Sequence, residues 1–252
     1  EFFEFEDIQW STYEEVGTRI QHIANGIVQL TGLNSGDKLA IYENTCPEWQ
    51  LVCQACFRYG IQVVTVYASL GIDALISSFN ETEVTAVFAG EELLPHFEKI
   101  ATQVPTIKKV IFNPDRFSPK ENPIPEKVAA LVEVLTLKQV EELGRTINPP
   151  AIRKIPTKDD IAFIMYTSGT TGAPKGVIHK QNNLYNVVQS AIADLNLPNE
   201  TLQHLAYLPL AHVFEFGIEV AALSMGAKIV YGHPKTLNDK FASPCGDIKA
   251  AR

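Results

Sequence analysis

The sequence predicts an α/β fold, with parallel or mixed sheets flanked by helices. Three observations carry this prediction. The chain has 252 residues, 46% of them hydrophobic, enough to bury a core without disulfide or metal staples. From Lys38 onward, short β-branched runs alternate with helix-length segments, a rhythm that gives right-handed crossovers and parallel strands. A loop rich in glycine and hydroxyl side chains directly follows one such run, Ile161–Tyr166.

Each element has its own signal. Leu39–Tyr42 reads as a short buried strand. Thr45-Cys46-Pro47-Glu48 then opens a helix: Thr45 caps, Pro47 suits the first turn, and Glu48 closes a capping box. That helix runs to about Tyr59 and stops at Gly60. Ile61–Val66 is a β-branched strand. A helix over Asp73–Asn80, a strand at Ala86–Phe88, a helix over Glu91–Ala101 and a strand at Lys109–Phe112 follow. Residues 113–126 carry Pro114, Pro119, Pro123 and Pro125 and read as a surface loop. Leu137–Leu143 is a short helix. Residues 146–160, with Pro149, Pro150 and Pro156, read as a linker. Beyond the strand Ile161–Tyr166 and its loop come a helix over Asn182–Leu195, a strand at Leu205–Leu208, a helix over Phe214–Ser224 and a strand at Lys228–Tyr231. The expected organisation is thus a first α/β subdomain over 1–145, a linker over 146–160 and a second α/β subdomain over 161–252.

Composition excludes several function classes. Net charge is −8, from 29 acidic and 21 basic residues, which argues against a nucleic-acid binder needing a basic footprint. An anionic ligand remains open, because backbone amides hold phosphates without net positive charge. No apolar run approaches the roughly 18 residues of a membrane span. The first residues are acidic where a signal peptide would be basic, although a chain that opens on Glu1 says little about what preceded it. Cys53-x-x-Cys56 resembles a metal or redox spacing. Trp49, Val52, Cys53, Cys56 and Phe57 recur at helical spacing, however, so these thiols read as core packing in a reducing compartment.

The most informative stretch is Tyr166-Thr167-Ser168-Gly169-Thr170-Thr171-Gly172-Ala173-Pro174-Lys175-Gly176. Glycines allow positive φ and close approach of backbone to a ligand. Successive amides then form an anion nest, and the hydroxyls of Thr and Ser add donors and suit a hard cation such as Mg²⁺. Lys175 adds a point charge for phosphate oxygens. Together these residues ask for a polyphosphate. The loop is not a GxxxxGK[ST] P-loop, because Pro174 stands where the second glycine belongs and Gly176 follows the lysine. It is not GxGxxG either, so nothing supports a dinucleotide oxidoreductase.

Tyr166–Gly176 resembles the signature of the adenylate-forming (AMP-binding) superfamily, which includes acyl-CoA synthetases, luciferases and peptide-synthetase adenylation domains. The resemblance implies that Thr167, Ser168, Gly169, Thr170, Thr171, Gly172 and Lys175 bind the ATP phosphates, with Thr167 also near Mg²⁺. A second segment, Ala206-Tyr207-Leu208-Pro209-Leu210-Ala211-His212-Val213-Phe214-Glu215, is similar to the YLPLAHxxE stretch of eukaryotic long-chain acyl-CoA synthetases. It implies an acyl-pocket role for His212, Phe214 and Glu215, and a catalytic set of Lys175, Thr167 and His212. Read without the resemblance, His212 is a helix-capping or core histidine. Glu215 and Glu219 share one helix face at i and i+4, so either one points to a partner or the face is solvated. Val66–Gly71, Asn80–Glu83 and Tyr231–Leu237 also look like segments of that branch.

The resemblance spans about residues 10 to 240 and has departures: Lys180-Gln181 replaces the usual pair, and Phe241–Asp247 looks shortened. The family's adenine and ribose motifs, hinge and C-terminal lid domain with its catalytic lysine do not occur between Glu1 and Arg252. The expectation is therefore part of an N-terminal domain of the luciferase-like fold, inactive alone. The implied reaction joins a long-chain fatty acid, ATP and CoA in two steps, through acyl-AMP to acyl-CoA. The alternatives are a CoA ligase for medium-chain or aryl acids, and a truncated non-catalytic paralogue that binds nucleotide or a partner. Membrane association, at the cytosolic face of the endoplasmic reticulum or another organelle, is implied by the resemblance alone.

Overall fold

The structure, a computed structural model, describes residues 3–4, 8–114, 124–147, 155–167, 174–195, 202–237, 240, 242–243 and 246–250. It divides into two compact units. The larger comprises Glu14–Asn44 and Glu48–Gln181; the smaller comprises Glu1–Tyr13, Thr45–Pro47 and Asn182–Arg252.

The larger unit is built on a seven-stranded sheet. Its first helix, α1 (Tyr13–Thr31, its first residue in the smaller unit), buries Ile23, Ala24, Ile27 and Val28 along a helical stripe. Strand β2 (Lys38–Tyr42) follows, then α2 (Pro47–Arg58), β3 (Gln62–Thr65), α3 (Ile72–Thr82) and β4 (Ala86–Gly90). Leu39, Ala40, Ile41 and Tyr42 are all fully buried, as a central parallel strand covered on both faces requires. Helix α2 opens on Pro47, and Gly60 just past its end has φ +69°, the left-handed conformation that glycine adopts without strain.

The helix expected over Glu91–Ala101 is two pieces. Glu91–His96 is a 3₁₀ turn containing Pro95, and α4 (Phe97–Gln103) starts only beyond it. Proline has no N–H for the α ladder, and its ring crowds the preceding turn. Next come β5 (Lys109–Asn113), α5 (Glu126–Ala129), β6 (Glu133–Thr136) and α6 (Leu137–Arg145). Thr136 and Gln139 form a full capping box at α6. The proline-rich stretch 113–126 lies largely outside the described residues.

The sheet closes with β7 (Ile161–Thr167) and β8 (Lys175–Lys180). Strand order is β6-β5-β4-β2-β3-β7-β8, parallel throughout except for the antiparallel pair β7–β8. This corrects the expected domain boundary. The segment Ile161–Gln181 does not open a second subdomain, because β7 pairs with β3 and belongs to the first sheet. Residues 155–160, the described end of the expected linker, lead into β7 of that sheet. The core beneath it includes Val64, Phe79, Val87, Phe97 and Val110, all fully buried.

The thiols are core, as expected. Cys46, Cys53 and Cys56 are buried, and burial pushes the Cys56 thiol well above its usual range. Trp49 stacks on Phe163 at 6.4 Å, and Phe57 meets the same ring edge-on at 4.9 Å.

The smaller unit contains α7 (Gln181–Leu195, its first residue in the larger unit), β9 (Gln203–Ala206), α8 (Val213–Ser224) and β10 (Lys228–Tyr231). Strands β9 and β10 pair in parallel. A short pair, β1 (Phe3–Glu4) with β11 (Ala242–Ser243), and α9 (Asp247–Ala250) complete it. The N-terminal segment packs here: the Tyr13 hydroxyl donates to the Ala227 carbonyl at 2.7 Å, and Lys228 lies 5.5 Å from the Trp10 ring centre. None of the described helices is long and apolar enough to cross a membrane.

Candidate active site

Two groups of predicted residues are built by two different devices, one in each unit. In the larger unit the device is a hairpin. Strands β7 and β8 run antiparallel with Tyr166 opposite Gly176 and Thr167 opposite Lys175. The hydroxyl- and glycine-rich stretch joins these strand ends. Thr167 and Lys175 are both exposed and flank its mouth directly across the ladder. Ser168, Gly169, Thr170, Thr171 and Gly172 lie outside the described residues. Strand β8 itself was not expected. Val177 and Ile178 are its β-branched signal, but both are exposed, so no alternation of buried and solvated positions marks it.

One residue before Thr167 the environment inverts. Tyr166 is 2% exposed, and its hydroxyl donates to Oε2 of Glu81 on α3 at 2.7 Å. Burial, then the hydrogen bond and charge of Glu81, push the Tyr166 hydroxyl well above its usual range, so it remains a donor. Gly176 faces the Tyr166 ring. A Cβ at Gly176 would lie 3.2 Å from the ring Cζ and 2.9 Å from Cγ2 of Ile164, so only glycine leaves the ring its place.

In the smaller unit the device is a strand-to-helix corner. Thr45 fixes it: its hydroxyl donates to the Leu208 carbonyl at 2.6 Å and accepts from the Leu210 N–H at 3.0 Å, spanning Pro209. The Thr45 hydroxyl, expected as a cap for α2, therefore serves this corner. His212 sits at the N-cap of α8, where its Nδ1 accepts the Phe214 N–H at 3.2 Å. That bond places the neutral ring's proton on Nε2, which is left as a donor on an exposed side chain. The capping role and a binding role are thus compatible in one ring. Phe214 is 59% exposed beside it.

Glu215, predicted for the substrate pocket, points elsewhere. Its carboxylate is 2% exposed and bonds Nε2 of His204 on β9 at 2.9 Å. Glu219, one turn on, is fully buried and accepts a short hydrogen bond from the Tyr231 hydroxyl on β10. Both carboxylates face the sheet, which removes the solvated-face alternative. His204 lies on β9 just ahead of the strand expected over Leu205–Leu208. A further buried carboxylate, Asp247, accepts from the His233 N–H at 3.0 Å and the Thr236 hydroxyl at 2.6 Å. It closes the Gly232–Thr236 turn, where any side chain on Gly232 would meet it at 2.7 Å.

The donor set bears on the cation the sequence suggests. No cluster of three or more His, Cys, Asp or Glu side chains that could hold a metal occurs among the described residues. The exposed Thr167 hydroxyl fits a cation held mainly by phosphate oxygens, not one in a cage of carboxylates.

Known proteins share the sequence and the fold of this chain. The chain is 36% identical over 237 residues to long chain acyl-CoA synthetase 8 of Arabidopsis thaliana, covering 92% of this chain and 32% of that protein. It is 31% identical over 266 residues to long-chain-fatty-acid–CoA ligase 1 of Saccharomyces cerevisiae, covering 98% and 38%. The chain thus spans about a third of the length of these relatives. Among solved structures, the A domain of a carboxylic acid reductase from Segniliparus rugosus, in complex with AMP and a co-purified carboxylic acid, shares the fold. The TM-score is 0.75 at 19% identity over 92% of this chain and 39% of that one. A Mycobacterium tuberculosis fatty acyl CoA synthetase shares it at a TM-score of 0.66 and 18% identity, over 88% and 39%. The model of the AMP-binding enzyme family matches residues 1–252, and the chain belongs to that family.

Proposed function

We propose that this chain supplies the phosphate-gripping hairpin and one wall of the acyl site of an ATP-dependent long-chain fatty acid–CoA ligase. The observation that carries the reading is the exposed Thr167 hydroxyl set directly across the ladder from the exposed Lys175 ammonium, at the mouth of the hydroxyl- and glycine-rich stretch. Family membership and relatives that are named as long-chain acyl-CoA synthetases support it.

In this reading a fatty carboxylate oxygen bonds to the α-phosphorus of ATP while the α–β bridge breaks, giving acyl-AMP and pyrophosphate. The CoA thiol then loses its proton and bonds to the acyl carbon as AMP leaves. Thr167, Lys175 and the amides and hydroxyls of Ser168–Gly172 hold the phosphates and balance their charge. Mg²⁺, bound through phosphate oxygens and the Thr167 hydroxyl, would supply further charge neutralisation. His212 presents its Nε2–H, and Phe214 an apolar face, toward the acyl substrate; Glu215 acts from behind by holding α8 through His204. Association with the cytosolic face of an organelle membrane belongs to the same proposal, because the substrate partitions into bilayers.

Equilibrium binding of ATP with Mg²⁺ tests the hairpin. Lys175→Ala removes a charge-assisted contact and is expected to weaken ATP binding by about tenfold or more. Unchanged affinity in that variant would sink the phosphate-grip reading. In a full-length protein that carries this segment, pyrophosphate exchange driven by palmitate, but not by octanoate or benzoate, supports the long-chain ligase. ATP binding there with no acid-driven exchange favours a nucleotide-binding module.

A further inference from the structure

We infer that Glu81 is a positioning residue for the phosphate hairpin, acting through the Tyr166 hydroxyl on the strand end that presents Thr167. This rests on the reading of the hairpin as a phosphate grip.

The argument begins with an overhang. The ladder between β3 and β7 stops at Thr65 opposite Met165, while β7 continues to Thr167. On that side the last two residues of β7 project beyond their neighbour. On the other side, among the described strands, they meet β8, the edge strand. A projecting strand end next to an edge strand is the part of a sheet that frays first. Here it is tied down at Tyr166. The hydroxyl reaches Glu81 at 2.7 Å, and the ring lies across Gly176 of the facing strand. One side chain therefore connects α3, β7 and β8, immediately before the residue pair Thr167–Lys175.

The placement of Glu81 points the same way. It lies in the last turn of α3, where the helix dipole disfavours an anion. A short hydrogen bond from a buried hydroxyl offsets that cost and gives the carboxylate a specific job. Because side chains alternate along a strand, a Tyr166 held inward also holds Thr167 outward. Losing the tie lets the strand end twist, and it shifts the Thr167 hydroxyl and Lys175 ammonium relative to each other.

The test uses the 252-residue chain and two readouts: hydrogen exchange of the hairpin amides, and ATP affinity. Tyr166→Phe removes only the hydroxyl, and Glu81→Ala removes its acceptor. Each is expected to speed exchange at Tyr166–Thr167 and Lys175–Gly176 by about tenfold, with β2, β4 and β5 unchanged, and to weaken ATP by about fivefold. The double variant is expected to match Tyr166→Phe, which deletes the Glu81 bond together with a longer one, 3.4 Å, to the Ser78 carbonyl. Glu81→Gln keeps an acceptor and is expected to restore most of both signals. Unchanged hairpin exchange in Tyr166→Phe and Glu81→Ala overturns the inference, whatever happens to ATP. So does faster exchange with unaltered affinity in a chain that binds ATP. Failure of the parent chain to bind ATP is a different result: it removes the phosphate reading, and the exchange readout still decides whether Glu81 holds the strand end.

Discussion

The hairpin of the larger unit and the strand-to-helix corner of the smaller one solve the same problem in opposite ways. Each presents exposed polar or aromatic groups, Thr167 and Lys175 in one and His212 and Phe214 in the other. Each fixes them from residues buried directly behind. The hairpin uses a neutral buried hydroxyl that reaches out to an exposed carboxylate, Tyr166 to Glu81. The corner does the reverse, burying two carboxylates, Glu215 and Glu219, against His204 and Tyr231. The first arrangement leaves the ionised group hydrated, so breaking it is cheap. The second desolvates its charges, so breaking it strands an anion in the interior. Side chains that grip through the hairpin are therefore expected to be tunable, and those at the corner rigid.

Substitutions at the two places measure that contrast. His204→Ala leaves the Glu215 carboxylate buried without its imidazole, and urea unfolding is expected to show a loss of about 3 kcal/mol, confined to the smaller unit. A loss below about 0.5 kcal/mol would show that the corner is no more rigid than a surface pair. Gly176→Val drives a side chain into Tyr166 and Ile164, and is expected to cost about 2 kcal/mol while weakening ATP binding. If stability falls but affinity holds, the ring's seat is structural only.

A stabilising change separates the tie from the helix that carries it. Glu83, just past α3, has φ 54°, a left-handed conformation unfavourable for any side chain with a Cβ. Glu83→Gly is expected to raise stability by about 1 kcal/mol with ATP affinity unaltered. A drop in affinity would mean that the end of α3 and the tie are one device.

The smallest effect is on pH. His179 lies in β8, and burial lowers its pKa below the ordinary 6.5. The folded state thus binds that proton less readily than the unfolded chain. Its contribution to stability is complete above pH 6.5 and is lost as pH falls through the lower, folded value. His179→Gln is expected to flatten the acid limb of stability against pH over that window. An unchanged limb would assign acid sensitivity to other groups.

What the sequence disclosed, and what it hid, follows from the range of the interactions. Strand β2, helix α2 with Gly60 and the thiol-containing stripe are set by neighbours within one or two turns, and they were readable. The hydroxyl-rich stretch after β7 reads as a phosphate loop from its composition alone, and Ser168–Gly172 lie outside the described residues. Strand β8 was absorbed into that loop, since Lys175 and Gly176 belong to the motif and Val177 and Ile178 lie exposed on an edge. The break at Pro95 lost to a helical pattern that ran on through it. The unit boundary was misplaced because the pairing of β7 with β3 joins residues about a hundred positions apart, which no local pattern announces. Tyr166 and Glu81 stand 85 positions apart, and one hydrogen bond leaves no periodic trace. The two carboxylates of α8 are the intermediate case: their spacing leaves open a partner or a solvated face, and the fold supplies His204 and Tyr231.

The position of β8 at the rim of the sheet gives Lys175 a second consequence. An edge strand that displays Val177 and Ile178 is a template for pairing with another chain, and lysines are the common guard against such growth. Lys175 and Lys180 stand at its two ends. In the proposed reading Lys175 thus has two uses: a charge offered to phosphate, and a charge that disfavours pairing along the strand rim.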